Sequence, residues 1–190
     1  HDGSTGATIA TGATGLAIST PAVTVSSSAA SSPILHITNT HAGATSGELR
    51  FNKDSASGDD SDVMGLISFY GTDAGEATHE RLAYVDAIIT DSAAGSEAAS
   101  LRFYVAENDA TLTAGLLIAG QADSDGEVDV TIGAGAASTT TVAGSLTVTT
   151  DIILDDGGSL KEAGGVAAFT FDGSGNVTKI GQDSPSSGEF

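Results

Sequence analysis

The sequence predicts an all-β, elongated fold: a small antiparallel β-sandwich or jelly-roll-like domain that leads into a narrow β-rich extension. Three observations carry this. Apolar and β-branched residues recur at every second position in several short runs, which is the period of a strand with one wet face. Gly, Asp, Asn and Ser cluster between those runs, where turns need them. No segment sustains the 3.6-residue period of an amphipathic helix, and residues 75–82 have room for one helical turn at most.

Residues 62–120 hold most of the aromatic and large aliphatic side chains. Within them 64–70 (MGLISFY), 82–90 (LAYVDAIIT) and 101–106 (LRFYVA) read as strands. In the third, Leu101, Phe103 and Val105 share one face while Arg102, Tyr104 and Ala106 share the other. Upstream, 33–38 (PILHIT) and 47–53 (GELRFNK) also read as strands, with Leu49 and Phe51 facing away from Glu48, Arg50 and Asn52. Downstream come 112–119 and 127–133, where Val128, Val130 and Ile132 alternate with Asp129 and Thr131. The tripeptide Leu-Arg-Phe occurs at 49–51 and again at 101–103, as a duplicated sheet element would leave it. Together these define an antiparallel domain over residues 33–133.

Residues 1–32 form an N-terminal arm or linker. Gly6, Gly12, Gly15 and Pro21 punctuate short strand-like runs there, and SSSAASS closes the arm as an exposed turn. Residues 134–155 place Val142, Leu146, Val148, Ile152 and Leu154 at short spacings among Thr, Ser, Asp and Gly. That stripe is too narrow to close a core within one chain. Three copies wound about one axis would enclose it, so an intertwined trimeric β-shaft is expected. Residues 156–190 carry two hairpin signals, Asp-Gly-Gly at 156–158 and DGSGN at 172–176 between AFTF and VTKI.

Composition points the same way. Of 190 residues 39% are hydrophobic, but much of that is alanine, with 5% aromatic and no Trp. At roughly 25 cal/mol per Å² of apolar area, alanine burial offsets chain entropy of roughly 1–2 kcal/mol per residue poorly. A single chain is therefore expected to borrow its core from neighbours.

The formal charge is −19, from 25 acidic and 6 basic residues, which makes nucleic acid and anionic membranes poor partners. With no cysteine there is neither a disulfide scaffold nor a thiolate metal site. No apolar run approaches the roughly 20 residues of a membrane span. The N-terminus lacks an initiator Met and a secretory signal, so a processed or truncated piece of a longer protein is expected.

Three sets of residues invite chemistry. Oxygen ligands recur at Asp59, Asp60 and Asp62, at Asp123, Asp125, Glu127 and Asp129, and at Asp172 and Asn176. None follows the twelve-residue calcium loop between helices, so solvated turn carboxylates are expected and no metal site is assigned. Paired carboxylates also cleave glycans, but a chain with no Trp and 3 Tyr lacks the aromatic platforms of such a groove, so no catalytic residue is assigned. His1, His36, His41 and His79 are scattered. His36, between Leu35 and Ile37, is expected to be a structural strand histidine. Tyr70, Tyr84 and Tyr104 are expected to pack within the sheet rather than to meet sugars. No cofactor is implied.

In this order the segments PILHITN (33–39), GELRF (47–51), GLISFYG (65–71), ERLAYVDAIITD (80–91), ASLRFYV (99–105), LLIAGQADSDGEVDVTIG (116–133), VAGSLTVTTDI (142–152) and FDGSGNVTKIG (171–181) resemble tail-fibre proteins of tailed bacteriophages. The resemblance covers about residues 33–181. It implies a homotrimer, a structural part of a virion appendage acting outside the cell, and a role in host-surface attachment through other tail proteins and a surface glycan or protein. A bacterial extracellular adhesin or surface-filament module is the alternative, and a glycan-cleaving tailspike a third. No receptor-binding tip is recognisable, so shaft and adaptor is the expected part.

Overall fold

Alternation becomes a strand where a partner strand lies within a short turn. The computed structural model describes residues 18, 22–75, 78–123, 126–154, 159–161, 167–171, 174 and 176–180. The chain is all-β, and no helix occurs among the described residues. It divides into two units, His1–Thr131 and Ile132–Phe190.

In the first unit, β1 (Val63–Thr72), β2 (His79–Asp91), β3 (Ala98–Ala106), β4 (Leu112–Gly120) and β5 (Val128–Ile132), save for the last residue of β5, form one five-stranded sheet in sequence order. The pairs from β1 to β4 are antiparallel. Such a meander needs only tight turns, and the turns supply the required chemistry. Gly95 and Gly126 adopt φ of 91° and 81° after β2 and β4. Between β3 and β4, Ala110 takes φ 63°, its amide donating to the Glu107 carbonyl at 3.1 Å, while the Glu107 amide donates to the Thr111 carbonyl at 2.8 Å. The sheet is open, with β1 and β5 as its edges.

Cross-strand partners point to the same side. One face therefore carries the rows Ile67, Val85, Phe103, Leu116 and Phe69, Ala83, Val105, Thr113. The other carries Ser68, Tyr84, Tyr104, Ala114 and Leu66, Asp86, Arg102, Leu117. Neither face is sealed. No apolar residue is buried among those described, and the two buried polar side chains are Asp86 and Ser100, each 5% exposed.

The segments expected as strands at 33–38 and 47–53 are not strands. Gly47 comes close enough to Ile37 that a Cβ would lie 2.6 Å from its Cγ2, yet no ladder forms between the two runs. Side chains take the bend's backbone groups instead: Asn39 Nδ2 donates to the Thr45 carbonyl, and the His41 amide to Asn39 Oδ1. Such local bonds compete with a ladder. The first Leu-Arg-Phe therefore lies in irregular chain and only the second in β3, so the tripeptide marks no duplicated strand. For the same reason His36 is exposed and outside any strand. With 33–53 unpaired, the described residues of this unit supply no second layer against the sheet, only partial cover. Phe51 lies over Gly65, where an added Cβ would meet its Cβ at 2.7 Å, and Gly58 lies near Ile89.

In the second unit, β6 (Ser159–Lys161), β7 (Ala167–Phe171) and β8 (Val177–Ile180) form a three-stranded antiparallel sheet. The hairpin expected across 172–176 is the β7–β8 connection. Leu160, Phe169 and Ile180 share one cross-strand row. The turn expected at 156–158 lies outside the described residues, as does the patterning of 1–17 and 19–21. Residues 134–154 contain no strand, and Leu146 and Ile153 stand 70% and 91% exposed.

Candidate binding face

The three tyrosines of the chain lie on one face of the five-stranded sheet. Tyr84 and Tyr104 are directly paired across β2 and β3, so their rings stack at 4.3 Å with an 11° tilt. One step along, Asp86 is paired with Arg102. The Arg102 guanidinium donates through Nε to Asp86 Oδ1 at 2.9 Å and through Nη2 to Oδ2 at 2.6 Å. It also lies 5.3 Å from the Tyr104 ring centre. On the far side of the stack, the Arg81 guanidinium lies 4.5 Å from the Tyr84 ring centre. Arg81 is the register partner of Tyr70, whose ring lies 5.2 Å from that of His79.

This ladder is set by register. β2 alternates Tyr84 and Asp86 onto one face, β3 alternates Arg102 and Tyr104, and antiparallel pairing then places ring on ring and charge on charge. Partial burial, with the neighbouring Tyr104, pushes the Tyr84 hydroxyl above its ordinary value. Donating its hydrogen bonds to the Asp86 carboxylate raises the Arg102 guanidinium further. What the face offers chemically is stacking area, an Arg81 that makes no ion pair among the described residues, and an exposed Tyr70 ring.

The acidic loops are taken up in turns. Asp62 accepts from Lys53 Nζ at 2.8 Å and from the Asp59 amide, which holds its carboxyl below the usual range. Asp60 accepts from the Ser92 amide and hydroxyl, each at 2.8 Å, fastening the loop to the β2–β3 turn. Asp129 accepts from Gln121 Nε2 at 2.7 Å. Asp125 and Asp172 lie outside the described residues. Among the described residues no three His, Asp or Glu side chains gather as a metal would need. His41 Nδ1 accepts from the Gly43 amide.

Tyr84 and Tyr104 pack within the sheet, as expected, whereas Tyr70, expected to do the same, stands 56% exposed. Nothing in the linear sequence marks the Asp86–Arg102 pair or the stacking of Arg81 on Tyr84. Arg102 and Tyr104 share a face by alternation alone, but Asp86 joins them only once the β2–β3 register is known. The fold and this face define an open-sheet all-β protein with one apolar side and one aromatic, charged side. Comparison with known protein families, with curated proteins and with solved structures gives no match.

Proposed function

We propose that this chain is a structural component of a bacteriophage tail fibre, a homotrimeric virion appendage that works outside the cell in host attachment. The observation that carries the reading is the unsealed sheet: a folded antiparallel sheet in which no described apolar side chain is buried. Antiparallel sheets are stable with one wet face, but not with two. The ribbon from Val142 to Leu154 supports it further, since Val142, Leu146, Val148 and Ile152 are exposed in one chain and Leu154 is half-buried. Threefold association encloses such a ribbon and multiplies weak host contacts through avidity.

Light scattering on the purified chain tests this. The expected mass is three times 18.6 kDa, with labelled protein decorating host cells and antibody decorating the tail of the virion. A mass that climbs without limit as concentration rises points instead to a bacterial surface filament. Release of reducing sugar from host polysaccharide points to a cleaving spike.

A further inference from the structure

The two faces of the five-stranded sheet differ in charge as well as in bulk. We infer that the face bearing Ile67, Phe69, Val85, Leu101, Phe103 and Val105 is where copies of this chain meet one another; this rests on the self-association proposed above and assigns it a surface. Across the paired rows from Gly65 to Phe69, Ala83 to Ala87, Leu101 to Val105 and Thr113 to Ile118, this side carries no ionisable side chain, and the first one beyond them is Glu80, the register partner of Gly71 at the β1–β2 end. The opposite side carries Asp86, Arg102 and Arg81.

Charge selects the occupant. A chain of net charge −19 repels its own copies wherever carboxylates face each other, across a screening length of about 8 Å at physiological salt. An uncharged apolar face is where that repulsion is least and the gain from excluding water greatest. The chain covers one end itself: Phe51 sits over Gly65 beside a groove of about 340 Å³ lined by Ile67, Val85, Ala87 and Leu101, with Leu66 and Asp86 of the opposite row also at its wall. The other end is bare, with Phe69 54% and Val105 56% exposed.

The absence of cysteine allows clean single-site labelling. Val105 on this face and Tyr70 on the other are equally exposed in the single chain, at 56%, so Val105→Cys and Tyr70→Cys form a matched pair. Each is spin-labelled in the full chain, and label-to-label distances are read by pulsed dipolar spectroscopy. The expected result is an intermolecular distance at position 105 shorter than at position 70 by about 10 Å, the spacing of packed sheets, and lost on dilution with unlabelled chain. A label at 105 that breaks the assembly while one at 70 leaves it intact also supports the inference. Equal distances, a shorter distance at 70, or no intermolecular coupling at 105 in a multimer overturns it and leaves the trimeric reading standing. A wild-type chain that scatters as a single copy overturns both.

Discussion

Asp86 on β2 and Arg102 on β3 form a two-pronged ion pair in which the carboxylate is nearly sealed and the guanidinium is a quarter exposed. Both oxygens are satisfied, and the Tyr104 ring flanks the cation. Removing one partner leaves the other without its bonds, which costs more than the pair contributes. Asp86→Ala is expected to destabilise by about 2–3 kcal/mol. Asp86→Leu with Arg102→Met is expected to recover most of that loss. Urea unfolding at one fixed chain concentration measures both; a double variant as weak as the single would contradict this account.

Tyr84 ionises late. Its folded value lies above the ordinary 10.0, so the stability linked to it is complete below pH 10.0 and is lost as pH rises through the folded value. Alkaline titration followed by tyrosinate absorbance is expected to show a component that lags the free side chain. Tyr84→Phe is expected to abolish that component; its persistence would assign it elsewhere.

At the acid end the sign reverses. Lys53 and the Asp59 amide hold Asp62 below the ordinary 3.8, so its contribution is present above pH 3.8 and is lost as pH falls through the folded value. Melting temperature is expected to drop on acidification in that range. Asp62→Asn flattens the drop, and an unchanged profile would remove Asp62 from the linkage.

The β3–β4 turn holds Ala110 at φ 63°, a region that L-residues enter at a cost. Ala110→Gly is expected to stabilise by about 0.5–1 kcal/mol once the added freedom of the unfolded chain is subtracted. Gly95 is the converse, at φ 91° with open space where a Cβ would go, so Gly95→Ala is a test of backbone strain alone. It is expected to cost about 1 kcal/mol, and thermal melts of the two variants should shift in opposite directions.

The sequence marked the five strands of the first sheet because each has its partner next in the chain and a turn that fits between them. Alternation alone also points to strands around Leu35 and Phe51, but a strand needs a ladder, and none forms between the two runs on either side of the bend that Asn39 and His41 brace. The aromatic stack was half legible. Arg102 and Tyr104 share a face by counting, but pairing Tyr84 with Tyr104 rather than a neighbour depends on a register that shifts between Ile89 and Asp91. The separation of an uncharged face from a charged one emerges only when all four paired strands are aligned.

The placement of the basic residues has a consequence for limited digestion with trypsin. Arg81 and Arg102 lie within paired strands, one on a tyrosine ring and the other clasped by a carboxylate. Arg50 and Lys53 lie in exposed, unpaired chain ahead of β1. Cuts are expected there and, downstream of the meander, at the exposed Lys161, leaving a resistant fragment that begins at Phe51 or Asp54 and retains the whole meander. Mass spectrometry of that fragment reads directly which part of the polypeptide stands as folded sheet.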